Sequence, residues 1–278
     1  MGAELTKLEG VGTDDGRWWI ADHGAQVMAW QPTGDDADDH PVLWHAPTSL
    51  WESARDDQDG PYLRGGVPVC FPWFGAGGVP AHGLARRQVW ERLDEDWSPD
   101  GSEVTARYWL VNDDLEVWHT VTMTRTALEM TLEFRNNSPV ERRVECAHHT
   151  YFAVSDVTGV SVEGLGGAPY WDAVRDRHDT IPEAPVTIRP RTDAVIEASG
   201  PITLDDPGWA RRVRLEREGS PQVVVWNPRP AADPSLGVTN DHWRDFVCIE
   251  SAACRERAVV LAPSDTHRLV TRVTVEAR

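Results

Sequence analysis

Short runs of alternating apolar and polar residues recur along the chain, and turn residues separate them. Runs of this period are typical of strands with one buried face. Many short strands with frequent turns favour an all-β fold, a large antiparallel sandwich or barrel, over alternating βαβ units. Two short helical turns are also predicted, over Leu50–Asp56 and Asp241–Arg244. The predicted strands are Gln26–Trp30, Pro41–Trp44, Glu103–Val111, Glu116–Met123, Leu128–Arg135, Arg142–Val154, Val186–Arg189, Val213–Glu218, Gln222–Trp226, Phe246–Glu250 and Arg268–Glu276.

Length and composition fit one folded unit over residues 1–278. The chain has 40% hydrophobic and 26% charged residues, enough apolar surface for a core and too much for a disordered chain. It contains no uninterrupted apolar stretch of membrane-spanning length, and its first ten residues lack the pattern of a secretory leader. We therefore expect a cytoplasmic protein that does not enter the membrane.

The net charge of the chain limits the classes of partner that it can bind. The chain carries 27 basic and 45 acidic residues, a net charge of −18, which disfavours nucleic acid and anionic membranes as partners. Lys7 is the only lysine, so any anion site must be built from arginine. The four cysteines, Cys70, Cys146, Cys248 and Cys254, are expected to be buried free thiols.

The segment from residue 64 to residue 86 carries the most unusual composition. Arg64 is followed by two glycines, which would let the backbone approach a ligand closely, and by prolines that alternate with aromatic residues. His82 and Arg86 follow in a second short run. Arginine matches phosphate oxygens with two parallel N–H donors, so Arg64, His82 and Arg86 are candidate ligands for a phosphate or a sugar.

Two later runs carry groups that can transfer protons. Alternation places His149 and Tyr151 on one face of a strand and His148 on the other, so the two histidines cannot bind one metal together. Cys146 shares a face with His148, but the spacing lacks a second ligand pair, and no metal site is predicted. Glu250 ends an apolar run that also contains Phe246 and Cys248 on its face, so its carboxyl is either paired structurally or poised for proton transfer.

Five blocks in order resemble the glucose-6-phosphate 1-epimerases, the hexose-6-phosphate mutarotases related to the aldose 1-epimerases. Together they span most of the chain, from about residue 26 to residue 270. The blocks are Arg64–Gly75, Pro80–Arg86, His149–Phe152, Val225–Pro228 and Val247–Glu250.

The resemblance implies a galactose-mutarotase-like β-sandwich, no metal and no organic cofactor. It implies that His149 is the general acid at the ring oxygen and Glu250 the general base at the anomeric hydroxyl. Arg64, His82 and Arg86 would hold the substrate, with the arginines on its phosphate, and Asp193 would bind the sugar. The partner would be a small sugar phosphate, bound by a monomer.

The chemistry sets further expectations for the pair. Ring opening needs one proton delivered to the ring oxygen and one removed from the C1 hydroxyl, and we expect His149 and Glu250 on opposite sides of the ring. The ordinary pKa of histidine, near neutrality, suits this exchange. Glu250 must be ionised, so a neighbouring cation or several hydrogen bonds should lower its pKa.

Two alternatives use the same residues. An aldose 1-epimerase would act on unphosphorylated hexoses, which the arginine pair disfavours. A non-catalytic carbohydrate-binding protein on the same fold would bind sugar without accelerating exchange between anomers, and the presence of His149 and Glu250 together disfavours it.

Overall fold

The computed structural model describes residues 8–33, 39–47, 63–188, 191–229 and 242–278. Within these ranges, the chain is built from strands and loops apart from short 3₁₀ turns at Ala85–Arg87, His242–Arg244 and Arg255–Arg257. The strands are β1 (Gly10–Gly12), β2 (Trp19–Ala21), β3 (Gln26–Ala29), β4 (Val69–Cys70), β5 (Glu91–Trp97), β6 (Glu103–Asn112), β7 (Leu115–Thr124), β8 (Ala127–Asn136), β9 (Arg142–Val144), β10 (Cys146–His148), β11 (Tyr151–Ala153), β12 (Ser161–Glu163), β13 (Pro169–Asp172), β14 (Arg177–Thr180), β15 (Val186–Thr187), β16 (Thr192–Glu197), β17 (Ile202–Asp206), β18 (Arg211–Glu218), β19 (Gln222–Asn227), β20 (Phe246–Ala253), β21 (Val259–Leu261) and β22 (Thr266–Ala277).

Two large antiparallel sheets form the sandwich. The nine-stranded sheet has the order β15-β12-β17-β18-β22-β8-β7-β6-β5. The eight-stranded sheet has the order β14-β13-β16-β19-β20-β10-β4, with β11 paired to β20. Side chains from the facing sides of both sheets form one continuous apolar core. The all-β antiparallel sandwich predicted from the sequence is therefore confirmed.

Burial along the strands follows the predicted alternation where a sheet has one wet face. Strand β7 buries every second residue along its whole length, as the sequence from Leu115 to Thr124 predicts. Strand β20 instead buries all eight of its residues. Ile249 on one face of β20 belongs to the large core, and Ala252 on the other face belongs to a second apolar cluster. Strands with two buried faces lose their alternation.

Some predicted elements differ from the structure. The run Arg142–Val154 is divided into β9, β10 and β11, because the backbone at Glu145 and at His149 turns away to donate hydrogen bonds to Pro72 and Pro68. Pro41–Trp44 forms only an isolated bridge, between Leu43 and Phe152. The helical turn predicted at Leu50–Asp56 lies outside the described residues. Among the described residues, no helix has the length and apolar character needed to cross a bilayer.

A line of buried polar side chains joins the two sheets beneath the outer face. Thr271 of β22 donates a 2.7 Å hydrogen bond to Ser251 of β20 and accepts one of 2.9 Å from Nδ1 of His148. The ring of His119 in β7 lies 5.3 Å from that of His148, and its Nδ1 donates to the carbonyl of Ala25. The neighbours of His149 and Glu250 in the sequence are thus fixed to the second sheet.

Stability is expected to fall in acid because His119 is buried as a neutral ring. Burial lowers its pKa from 6.5 to about 4. Below pH 6.5 the unfolded chain takes up a proton that the folded chain refuses, so the stabilisation is complete above pH 6.5 and is lost as the pH falls toward 4. The loss approaches about 1.4 kcal/mol per pH unit and roughly 3 kcal/mol in total from this group. Urea unfolding of the wild type and His119→Asn between pH 4 and 7 measures it. Equal slopes for the two proteins would contradict this expectation.

Candidate active site

The candidate residues collect on the outer face of the eight-stranded sheet. The register pairs Asp193 of β16 with Trp226 of β19, Trp226 with Cys248 of β20, and Cys248 with Tyr151 of β11. Glu250 follows Cys248 on the same face, because residues two apart in a strand share a face. These cross-strand neighbours come from four separate parts of the sequence, so only the folded sheet brings them together.

His149 and Glu250 form the centre of this face. Nε2 of His149 lies 3.4 Å from Oε1 of Glu250, and both side chains are buried, Glu250 to 1% exposure. Among the described residues, Nδ1 of His149 and Oε2 of Glu250 have no hydrogen-bond partner. Buried polar atoms without partners are uncommon because each loses its hydration. The pair is therefore costly for the fold, which is typical of a group kept for a ligand or a reaction.

The expectation that the two groups lie on opposite sides of a sugar ring is wrong. At 3.4 Å they lie side by side, with no space for a ring between them. The ring oxygen and the anomeric hydroxyl are both bonded to C1, so an acid and a base that serve these two oxygens must themselves be neighbours. The observed arrangement suits a hexose that approaches both groups from one side.

Aromatic rings enclose His149. Tyr151 stacks on its imidazole with ring centroids 4.8 Å apart, and Trp226 meets it edge-on at 6.1 Å. Strand alternation predicted the shared face of His149 and Tyr151. Aromatic faces of this kind stack on the C–H faces of sugars.

His82 stands against the other side of the pair. Its ring meets that of His149 edge-on, with centroids 5.2 Å apart. Its Nδ1 accepts a 3.4 Å hydrogen bond from the backbone N–H of Gly75. Burial, together with the charges of Arg86 and Arg64, lowers the pKa of His82 to about 3. A neutral ring whose Nδ1 accepts carries its proton on Nε2, so His82 can donate one hydrogen bond to a ligand.

Arg64 and Arg86 flank the histidines. Nη1 of Arg64 donates a 3.4 Å hydrogen bond to the hydroxyl of Tyr151. Arg86 is buried, and its Nη2 donates to the carbonyl of Ala81 at 2.8 Å. Burial and His82 lower the pKa of His149 most, and the charges of both arginines lower it further. The same positive potential favours an anionic ligand at this end of the site.

The two glycines after Arg64 serve the fold rather than a ligand. A side chain at Gly65, which has a φ of +111°, would strike the backbone of Trp44 and His45. One at Gly66, with a φ of +59°, would strike the carbonyl of Val27. Their backbone comes close to neighbouring segments of the same chain, which corrects the expectation of close approach to a ligand.

Asp193 lies at the far end of the group. Its carboxylate raises the pKa of Glu250, so it lies within electrostatic reach of the pair. Burial raises the pKa of Asp193 itself, and Arg191 lowers it in part. Asp193 also lines a cleft of about 300 Å³ together with Tyr170 and Arg175. The six candidate residues therefore lie on one face, with Arg64 and Arg86 around the histidine and Asp193 beyond the glutamate.

Burial favours the uncharged form of both central groups. Desolvation lowers the pKa of His149 well below 6.5, and His82, Arg86 and Arg64 lower it further. Desolvation and the charge of Asp193 raise the pKa of Glu250 well above 4.5, against a smaller opposing effect of Arg86. The expectation that neighbours lower the pKa of Glu250 is wrong, because one arginine does not offset complete burial.

Several residues around the pair had no role assigned from the sequence. Glu145 accepts hydrogen bonds from the backbone N–H groups of Phe74 and Arg255, so it holds together two loops at the edge of the site. Cys248 lies beside the pair, where the pattern of β20 had already placed it on the face of Glu250. All four cysteines are buried and free, as expected.

Comparisons with known proteins show the family and the fold of this chain. The profile of a family described as aldose 1-epimerase matches residues 13–274. A protein of Escherichia coli named "Putative glucose-6-phosphate 1-epimerase" is 31% identical over 252 residues, 88% of this chain and 82% of the relative. The crystal structure of a "putative mutarotase" from Salmonella typhimurium has a TM-score of 0.80 at 24% identity, over 99% of each chain. A galactose mutarotase-like protein of Clostridium acetobutylicum has a TM-score of 0.70 at 13% identity, over 94% of this chain and 92% of that one. The fold is galactose-mutarotase-like.

Proposed function

Because the chain belongs to the aldose 1-epimerase family, we propose that it interconverts the α and β anomers of a hexose 6-phosphate, glucose 6-phosphate above all, without a cofactor. One observation carries the proposal. Nε2 of His149 lies 3.4 Å from the carboxyl of Glu250, next to two arginines whose charges act on that histidine. We also propose that the protein is a cytoplasmic monomer and that its partner is a free sugar phosphate.

The pair supplies the two proton transfers of ring opening. One group gives a proton to the ring oxygen while the other takes the proton of the C1 hydroxyl, so the C1–ring-oxygen bond breaks and a carbonyl forms at C1. Rotation about the C1–C2 bond and closure with the transfers reversed give the other anomer. Each positioned proton transfer contributes about 10²–10⁴-fold to the rate.

The resting pair carries one transferable proton. A neutral imidazole beside a protonated carboxyl, and an imidazolium beside a carboxylate, differ only by one proton moved across the 3.4 Å gap. Burial favours the first form in the free protein. Ring opening with His149 as acid and Glu250 as base starts from the second form.

The phosphate of the substrate favours the second form. Burial lowers the pKa of His149 most, followed by His82, Arg86 and Arg64. After burial, the charges that shift the pKa of Glu250 are those of Asp193 and Arg86, and Arg64 is not among them. A phosphate dianion on Arg64 would cancel much of its charge and raise the pKa of the histidine. Binding of the sugar phosphate would thus favour the form in which His149 holds the proton and can act as the acid.

The order of groups on the sheet follows the order of atoms in the substrate. In a hexose 6-phosphate the ring oxygen is bonded to C5, which carries the phosphorylated C6, while the C1 hydroxyl lies next to the hydroxyl of C2. The acid at the ring oxygen should then lie near the phosphate ligands, and the base near a group that binds ring hydroxyls. His149 lies near Arg64, and Glu250 lies within reach of Asp193.

Substitution of Arg64 tests the choice of substrate. Arg64→Gln is expected to raise the KM for glucose 6-phosphate by about 10- to 100-fold, the worth of one charge-assisted hydrogen bond. Its effect on free glucose should be small, because glucose offers no phosphate. Arg107→Gln, which removes an exposed arginine of β6 from the other sheet, is the matched control. Equal effects of Arg64→Gln on both sugars would favour an enzyme for unphosphorylated hexoses, and binding without acceleration would favour a carbohydrate-binding protein.

A further inference from the structure

Cys248 adds a third donor beside the acid–base pair. A ring nitrogen of His149, Sγ of Cys248 and a carboxylate oxygen of Glu250 all lie within 4.8 Å of one another. Cys248 and Glu250 come from one face of β20, and His149 comes from the break between β10 and β11. The proton transfers of anomerisation use the histidine and the glutamate and leave the thiol without a role.

The distance between the histidine and glutamate donors matches one edge of a tetrahedral metal site, and the thiol lies within 4.8 Å of both. Two ligands that each lie about 2.1 Å from zinc at a tetrahedral angle are about 3.4 Å apart. The observed distance from Nε2 of His149 to Oε1 of Glu250 is 3.4 Å. Within the described part of the chain, Oε2 of the same carboxyl is buried and has no hydrogen-bond partner, so the second oxygen is also available to a cation.

We propose that His149, Cys248 and Glu250 form an inhibitory binding site for a thiophilic divalent cation such as zinc. Nitrogen, sulfur and carboxylate oxygen are the donors that zinc takes in proteins, and three protein ligands leave its fourth position for water or a substrate oxygen. Binding displaces the thiol proton of Cys248 and the carboxyl proton of Glu250 to solvent. The dication, one thiolate, one carboxylate and one neutral imidazole then sum to zero charge.

The neutral charge of the metal with its three ligands matters because two arginines lie near the site. Arg64 and Arg86 act on this site with positive charge, which would repel a cation held by neutral ligands alone. The thiolate and the carboxylate remove that difficulty, and Asp193 contributes a further negative charge. The bound ion would coordinate the same atoms that must exchange protons with the sugar. The enzyme with bound metal should therefore not anomerise sugar, and sugar phosphate should compete with the metal. The inhibition rests on the proposed function, whereas the metal binding does not.

Cadmium is the probe for binding, because a cadmium–thiolate bond gives a near-ultraviolet charge-transfer band. We expect one equivalent of CdCl₂ to produce the band in reduced, metal-free wild type, and Cys248→Ala or Cys248→Ser to lose it. Cys70→Ala is the matched control, since Sγ of Cys70 lies 3.4 Å from Nδ1 of His82 on the same face and is the nearest competing thiol–imidazole pair. The control should keep the band.

Zinc inhibition gives the second measurement. Each variant is compared with its own metal-free rate. Loss of a supporting hydrogen bond already weakens metal sites by about 10- to 100-fold, so loss of the Cys248 ligand should raise the inhibitory zinc concentration at least tenfold. A band that survives Cys248→Ala and Cys248→Ser, or one that Cys70→Ala removes, overturns the proposal. If the wild type gives the Cys248-dependent band but shows no anomerase activity, the metal site stands and the proposed function fails. If it is active but gives no band, the reverse holds.

Discussion

Glu250→Gln is expected to slow the anomerisation of glucose 6-phosphate by about 10²–10⁴-fold, the contribution of one positioned proton transfer. Glutamine keeps the shape of the side chain but can neither accept nor hold the transferred proton. The protein should fold as before, because the wild-type carboxyl is already buried and its burial favours the uncharged form. Rates come from magnetisation-exchange NMR between the two anomers, and thermal unfolding checks the fold.

Glu197→Gln is the matched control for this substitution. Glu197 belongs to β16 of the same sheet, where its carboxylate pairs with Arg257 at a partly exposed position. The control should keep the wild-type rate. A folded Glu250→Gln protein that keeps the wild-type rate would contradict the assignment of Glu250.

His149→Gln should cost a similar factor, about 10²–10⁴-fold, because it removes the other half of the exchange. The two groups act as a unit, so the double variant should be nearly as active as the less active of the two single variants. Multiplied losses in the double variant would mean that the two groups act independently, which contradicts a shared proton.

The pH dependence of kcat/KM distinguishes the two halves of the pair. The one-proton form persists between the two apparent pKa values of the pair. Since burial lowers the pKa of His149 and raises that of Glu250, the acid limb should lie below pH 6.5 and the alkaline limb well above pH 4.5. The residual activity of His149→Gln should lose the limb that the imidazole governs. An unchanged profile would assign both limbs to other groups.

The alternation of apolar and polar residues predicted the long strands that have one buried face. Strands such as β7 have one buried face, so their alternation shows in the sequence. Alternation also predicted that His148 and His149 point in opposite directions, and the structure places one against Thr271 of the second sheet and the other beside Glu250. Short strands such as β1, β12 and β21 escaped prediction, since three residues are too few for a period to show.

The properties of the pair depend on contacts that no local pattern contains. The cross-strand register that brings Glu250 beside His149 joins segments far apart in the chain. The direction of each pKa shift depends on complete burial, which the sequence of β20 does not distinguish from burial of one face. The same limit explains why Gly65 and Gly66 suggested a ligand, although they lie against Trp44 and Val27.

If His149 and Glu250 exchange protons with a hexose 6-phosphate held by arginine, the protein must accelerate the exchange between the anomers of that sugar phosphate. Magnetisation-exchange NMR of glucose 6-phosphate and of glucose, each with and without the purified wild-type protein, tests it most directly. We expect fast exchange between the α and β signals of glucose 6-phosphate at catalytic protein concentrations, with a much weaker effect on glucose. If the anomers of glucose 6-phosphate exchange only at the uncatalysed rate, the proposed function is contradicted.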